Sequence, residues 1–372
     1  MTVHVLEVFG EPISFGGQES FVFNNIKAMN LQGLKFDFLT PYYIDNENYS
    51  QFIKKIDGHL FSFNLGFNPG KSRLNIIKHF DSFLTDHFYD VIHIHSGSIS
   101  VLGICAAIAK KHQINRIIVH SHMAGVNESF KHRILKKLIN PIFKKCATDF
   151  CAPTKVAGNW QFGQSLTKNR LHIIKNGIDL SKFSYNHSVR IQMRKKLNIS
   201  NETLLIGDVG RLTSDKNQMF LFEIFCELKR IQNNSKIILV GSGNKYKKEL
   251  QSVAKKHHFD IDVIYTGNVN NVNDYMQAMD VFVFPSKFEG LGIVTIEAQS
   301  MGLPVIVSTR VPKDVKLTKK VKFLNLSDPP FKWANEIVQC NQHVRDTSEM
   351  TIRQAGYDIR ETAEILRNLY IL

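Results

Sequence analysis

Short runs of β-branched and aromatic residues alternate with amphipathic helical patterns along nearly the whole chain. That alternation leaves parallel sheets built from strand–helix–strand units as the simplest fold. In the first half the pattern predicts strands over 2–9, 35–40, 90–95, 116–121, 148–152 and 171–174, with helical spacing between several of them, over 21–31 and 99–111. A second series predicts strands over 204–210, 236–240, 261–266, 281–284 and 304–308, separated by helices over 217–232, 245–258, 272–279 and 294–301. Two doubly wound α/β domains in tandem follow, with the join near residues 176–185. A length of 372 residues suits two cores of ordinary size. The last segment, 348–372, places Ile359, Ala363, Leu366 and Tyr370 at helical spacing.

Charge narrows the partners. Lys and Arg total 47 against 33 Asp and Glu, a formal +14 shared equally between residues 1–180 and 181–372. An anionic partner is expected: a nucleotide phosphate, an anionic lipid or a nucleic acid. No aromatic-interleaved basic motif or helix-turn-helix spacing supports the last of these, and the basic residues are spread over both halves. The first residues carry no basic segment followed by an apolar core, and the apolar run 99–109 is too short to span a bilayer, which needs about 20 residues. Five cysteines, odd in number and without metal-ligand spacing, fit a reducing compartment. The expectation is a cytoplasmic protein.

In open parallel sheets, ligands sit beyond the carboxyl ends of the strands, so the residues just after each strand matter most. The first strand leads to Gly16-Gly17 and directly into a helix, where backbone N–H groups can meet an anion, although a plain turn explains the glycines equally well. In the second half Gly210-Arg211 and Lys216-Asn217 bracket the loop between a strand and a helix. A fork-shaped guanidinium and a point-charge ammonium there suit a diphosphate, where solvated surface charges are the bland alternative. The densest group is Phe288-Glu289-Gly290-Leu291-Gly292-Ile293-Val294, followed by Glu297. A glycine-bearing loop running into a helix can offer N–H groups to a phosphate, and two carboxylates can accept from hydroxyls. A ligand with phosphates and many hydroxyls, such as a sugar nucleotide, fits that combination. Otherwise Glu289 is a loop charge and Glu297 a helix-start acid.

Glu289 and Glu297, eight positions apart, resemble the paired-glutamate motif of retaining glycosyltransferases of family 4, which have the GT-B fold. Gly16-Gly17, Asn176-Gly177-Ile178-Asp179, Val209-Gly210-Arg211 with Lys216-Asn217, Val240-Gly241-Ser242-Gly243, Gly302-Leu303-Pro304 and Tyr357-Asp358-Ile359 meet the same pattern in the same order. The subgroup resembled is the bacterial exopolysaccharide and capsule transferases. Gly292 departs from it, standing where many members have proline or serine, as does the stretch 310–315. The resemblance implies two Rossmann-like domains facing a central cleft. Residues 1–178 would form the acceptor side and 179–350 the donor side, and a helix over 351–372 would cross back to the first domain.

By the same resemblance, Arg211 and Lys216 bind the donor diphosphate, Glu289 the donor sugar and Glu297 the ribose. The N–H groups of Gly292, Ile293 and Val294 cradle the distal phosphate, and Gly17 meets the phosphates from the other domain. The family's active-site histidine follows its strand as His122 does here, so His122 is preferred to His120, and His93 and His95 are read as structural or acceptor-facing. No cofactor and no metal are implied. A histidine metal site is disfavoured because no acidic ligand at suitable spacing accompanies the cluster. Asp260-Ile261-Asp262 mimics a metal-binding Asp-X-Asp but precedes a strand, which points it away from a ligand site.

The stretch 130–143 interleaves Phe130, Ile134, Leu135, Leu138, Ile139, Ile142 and Phe143 with Lys131, Arg133, Lys136 and Lys137, a spacing suited to an anionic membrane surface. Pro141 is expected to kink or end that helix. The function implied is transfer of a sugar from a nucleotide donor, with a uridine diphosphate sugar expected, to a lipid-linked saccharide at the inner face of the cell membrane. A nucleotide-sugar epimerase of the same architecture, or a silent partner of another transferase, stands as the alternative.

Overall fold

The computed structural model describes residues 2–14, 16–68, 75–122, 130–168, 170–340 and 345–371. The chain forms two compact units, Met1–Gly177 with Ile359–Leu372, and Ile178–Asp358. The first unit holds seven parallel strands: β1 (Val3–Phe9), β2 (Leu34–Thr40), β3 (Leu60–Ser62), β4 (Val91–Ser96), β5 (Arg116–Ser121), β6 (Asp149–Ala152) and β7 (Leu171–Ile173). Their order across the sheet is β3-β2-β1-β4-β5-β6-β7. The second unit holds β8 (Leu204–Val209), β9 (Ser235–Val240), β10 (Val263–Gly267), β11 (Val281–Phe284), β12 (Val305–Ser308) and β13 (Val321–Leu324), ordered β10-β9-β8-β11-β12-β13.

Both sheets are covered by helices on two faces. That is why β4, β8, β11 and β12 are buried along their whole length: β11 and β12 read as near-continuous apolar runs, β8 is interrupted by Asp208, and β4 buries His93 and His95 among its apolar residues. Each unit therefore has two apolar layers. In the second, helix Gln218–Ile231 places Leu221, Phe222, Phe225 and Leu228 against one face of the sheet, and Ile296, Ala298 and Met301 cover the other. In each sheet the strand order reverses between the first strand and the fourth, β1/β4 and β8/β11. The crevice at such a reversal is where α/β sheets bind their ligands.

Three local expectations need correction. The strand expected from 261 starts at Val263, because Asp260–Asp262 forms a 3-10 turn that leaves Ile261 exposed and ties Asp262 to Lys229 and Lys236 at 2.8 and 3.4 Å. Pro141 does not end its helix, which runs unbroken over Phe130–Cys146: the missing N–H removes one rung while Ile139 and Phe143 hold the helix on the first core. The C-terminal crossing begins at Ile359 rather than at 351, since Ile352 of helix Glu349–Gln354 is packed in the second unit's core. Helix Ile359–Ile371 then buries Ala363, Leu366, Leu369 and Tyr370 in the first unit, and Thr362 Oγ1 donates to Asn25 Oδ1 at 2.8 Å.

Candidate active site

In the second unit, the loops leaving β8 and β11 meet at the reversal point. Gly210 begins the first loop at φ +156°, a conformation that favours glycine. A side chain on Gly241 would run into the Gly210 carbonyl, so the absence of one lets the β9 loop pack under the β8 loop. Asn217, in the left-handed region at φ +60°, turns the chain into the helix while its Nδ2 donates to Pro285 O at 3.1 Å, and Lys287 N donates to Asp215 O at 2.8 Å. These bonds lock the two loops to each other. The consequence is an ion pair across the reversal point, Lys216 Nζ to Glu289 Oε1 at 2.6 Å, with the ammonium also 4.9 Å from the centre of the Phe284 ring. Glu289 is only 9% exposed, so the pair is shielded from solvent, whereas Arg211 projects outward from the same loop.

Gly290 is exposed and Leu291 half-buried, and Gly292 caps helix Ile293–Ser300 at φ +79°. Thr295 folds back, its N–H and Oγ1 both donating to Gly292 O at 2.9 and 2.7 Å. The Ile293 and Val294 N–H groups belong to the first turn, which has no intrahelical acceptors. A helix start lacking any acidic side chain of its own is left with its full positive dipole end. Glu297 lies one turn further in and half-buried, and burial lifts its carboxyl to about 7. Beneath the Arg211 loop sits a pair that the sequence reading did not single out. Gln218 Nε2 donates to Asp208 Oδ2 at 3.0 Å and to Arg211 O at 3.2 Å, and burial raises Asp208 to about 7 against the lowering effect of the Gln218 bond. A lone acid inside an apolar strand was the available signal.

In the first unit, Gly16 caps helix Gly17–Ala28. A Cβ on Gly16 would strike the Glu19 carboxylate, while Gly17 has open space on that side. His122, just past β5, is the outer end of a buried polar chain. His122 Nε2 lies 3.0 Å from His95 Nδ1, and His95 Nε2 lies 2.6 Å from Glu7 Oε2. Tyr370 donates to Glu7 Oε1 at 2.7 Å and meets His93 Nδ1 at the same distance, and His93 Nε2 lies 3.2 Å from His120 Nδ1. Burial holds all four imidazoles neutral, lowering His122 to about 3 and the other three well below their usual value, while it raises Glu7 to about 8. An acidic side chain does accompany the histidines, contrary to expectation: Glu7, from β1 and distant in sequence, joins them. Three overlapping sets among Glu7, His93, His95, His120, His122 and Cys151 are close enough to surround an ion, although most of these ring nitrogens are already committed to one another. His93 and His95, expected to be structural or acceptor-facing, are both buried inside β4 and hydrogen-bonded within this chain.

On helix Phe130–Cys146, Arg133 and Lys137 are exposed beside Phe130 and Leu138, which are 73% and 65% exposed. Lys136 is turned inward, donating to Trp160 O at 3.0 Å. The side chain of Lys131 lies outside the described residues. Among the described residues no helix is long and apolar enough to cross a membrane.

Residues 15–182 match the family model described as Glycosyltransferase Family 4, and residues 189–318 match Glycosyl transferases group 1. The chain is 30% identical to the glycosyltransferase EpsF of Bacillus subtilis over 366 residues, covering 95% of this chain and 93% of that protein. The chain belongs to glycosyltransferase family 4. This transferase is also 29% identical over 233 residues to an Escherichia coli protein named UDP-Gal:alpha-D-GlcNAc-diphosphoundecaprenol alpha-1,3-galactosyltransferase, covering 59% of this chain and 58% of that one. Anabaena Alr3699/HepE, crystallised with UDP, shares the transferase's fold with a TM-score of 0.75 at 16% identity, covering 99% of each chain. The family and the GT-B fold expected from the motifs are those found.

Proposed function

We propose that this glycosyltransferase moves a sugar, with retention of anomeric configuration, from a uridine diphosphate sugar to a lipid-linked saccharide during synthesis of an exopolysaccharide or capsule. The observation that carries the reading is the shielded Lys216–Glu289 pair at the β8/β11 reversal, beside a helix start whose N–H groups are free for an anion. In this reading Arg211 and Lys216 take the donor diphosphate and stabilise the charge on the departing nucleotide, the work a metal cation does elsewhere, so no metal and no cofactor are required. Gly292, Ile293 and Val294 hold the distal phosphate through their N–H groups. Glu289 accepts from a donor-sugar hydroxyl, Glu297 from the ribose, and His122 contacts the sugar. The helix start at Gly16 and Gly17 offers a further anion contact. The uridine donor and the lipid diphosphate acceptor are supported by the activity for which the E. coli relative is named and by the UDP in HepE.

Thermal unfolding with uridine, guanosine and adenosine diphosphates tests the donor site. At 100 times its dissociation constant the correct nucleotide adds about 2.7 kcal/mol, a shift of several degrees for a unit of this size. Only the uridine nucleotide is expected to shift the midpoint; equal silence from all three removes the reading.

The acceptor side carries a second expectation. Lys137 and Lys144 are exposed on helix Phe130–Cys146, beside the exposed Phe130 and Leu138. Each cation near an anionic bilayer contributes about 1 kcal/mol, so Lys137→Glu with Lys144→Glu weakens sedimentation with phosphatidylglycerol vesicles by roughly 30-fold or more. Wild-type-like sedimentation of the double variant would take the membrane off this helix.

A further inference from the structure

The reading above uses the polar chain of the first unit only at its outer end, His122. The rest is costly: Glu7, His93, His95 and His120 are each at most 1% exposed, inside a sheet otherwise filled by Val5, Phe9, Ile92 and Ile118. Nothing in the packing of β1 or β4 demands ionisable groups there, and buried polar chains of this kind have to be satisfied at every link.

Hydrogen-bond bookkeeping fixes one arm of the chain. Tyr370 has a single hydroxyl proton and gives it to Glu7 Oε1, so it accepts from His93, which then carries its proton on Nδ1. His93 Nε2 is therefore bare and accepts from His120 Nδ1, leaving His120 Nε2 bare as well. That nitrogen is buried with no partner among the described residues, as a bare nitrogen in an apolar setting can be.

The other arm has two self-consistent states. With Glu7 ionised, Oε2 accepts from His95 Nε2–H, His95 Nδ1 is bare and accepts from His122 Nε2–H, and His122 Nδ1 is left bare. With Glu7 protonated, Oε2–H donates to His95 Nε2, His95 Nδ1–H donates to His122 Nε2, and His122 carries its proton on Nδ1. One proton converts the first state to the second. It arrives at His122 Nδ1, the His122 Nε2 proton passes to His95 Nδ1, and the His95 Nε2 proton passes to Glu7 Oε2. Both rings are neutral in either state, and the 3.0 and 2.6 Å links are short enough for each transfer.

We propose that Glu7 and His95 are positioning residues that set which ring nitrogen of His122 carries the proton, and so whether His122 meets its substrate as a donor or as an acceptor. The inference rests on the reading of His122 as a sugar contact. The groups facing Glu7 are Tyr370 from the C-terminal helix, His93 and His95 from β4, and Cys151 from β6. His120 and His122 from β5 lie beyond them, with Phe21 from helix Gly17–Ala28 edge-on to both of these rings. Asp149 on β6 is engaged by Arg116 and His172 instead. Burial, opposed by the Tyr370 bond, puts the Glu7 carboxyl at about 8, so both states are reached near neutral pH.

The test uses the whole chain labelled with 15N-histidine, with His122 assigned by its loss in His122→Gln. Two-bond 15N–1H spectra report the tautomer of each ring. In the wild type His122 is expected to carry its proton on Nδ1 at pH 6 and on Nε2 at pH 9.5. In Glu7→Gln, whose amide donates to His95 as the protonated acid does, it stays on Nδ1 at both. A wild-type His122 that keeps one tautomer across this range, or a Glu7→Gln protein that switches like wild type, overturns the proposal. If Glu7→Gln does not fold, Tyr370→Phe decides, because loss of the hydroxyl that stabilises the carboxylate moves the switch to higher pH; an unmoved switch overturns it. Unimpaired sugar transfer by His122→Ala separately removes the substrate contact, whatever the spectra show.

Discussion

Lys216→Ala lowers kcat for sugar transfer by about 10²–10³-fold, the size of effect seen when one preorganised charge facing a developing anion is deleted. Two losses combine. The ammonium that would meet the leaving diphosphate is gone, and Glu289, 9% exposed, loses the cation 2.6 Å away that compensates its burial. Lys216→Arg is expected to recover little. The Lys216 stem passes 3.4 Å from where a Gly210 Cβ would be, and its head rests on the Phe284 ring, a slot shaped for a narrow chain ending in a point charge. Initial rates of UDP release at saturating donor give the number, with a thermal midpoint to show that the variant is folded. A rate within threefold of wild type would place the diphosphate elsewhere.

Asp280→Ala destabilises the second unit by about 3–5 kcal/mol, the cost of stripping the partner from a buried charge, or roughly 6–20 °C in its midpoint. Asp280 accepts from Arg190, from Arg194 Nη1 at 3.1 Å and from Leu205 N at 2.7 Å. Arg194 is 1% exposed and also holds the carbonyls of Ala278, Ser200 and Thr203. Without Asp280 two guanidinium groups lose the carboxylate they share and keep only carbonyls as hydrogen-bond acceptors. The cluster lies at the amino ends of β8 and β11, opposite the Lys216–Glu289 end, so nucleotide affinity below the new midpoint is expected to stay within a few fold. Differential scanning calorimetry checks the first part and isothermal titration with UDP the second. A midpoint drop under 3 °C would show that solvent reaches these side chains.

Most of the sheet was legible because parallel strands buried on two faces are rich in Val, Ile, Leu and Phe, and β1, β4, β5, β8, β9 and β11 are, with polar residues such as Glu7, His93, His95, His120 and Asp208 set singly among them. β13 escaped for the opposite reason. It is an edge strand of four residues with the exposed Lys322 inside it. The three half-buried residues of β3 carry no pattern at all. The glycines, Lys216 and Glu289 of the candidate site stood out because a strand end, a glycine and a charge in sequence already define a local geometry. What sequence order could not supply was the pairing. Glu7 was visible as an acid in an apolar strand, but its partner Tyr370 lies 363 positions away and reads as one more helical apolar residue. Lys136 shows the same limit on a helix: spacing put it on the basic face, and the carbonyl of Trp160 turned it in.

The docking of helix Ile359–Ile371 on the first unit has a consequence for synthesis. The ribosome makes all of Ile178–Asp358 between the body of the first unit and the helix that completes it. At roughly 5–20 residues per second that is an interval on the order of 10–40 s. Through it the nascent first unit holds Glu7 and His93 without the Tyr370 hydroxyl, and Val5, Phe9 and Phe36 without their cover. The later-made unit can close first, and a product cut short before Ile359 would keep a finished second unit attached to an open, aggregation-prone first one.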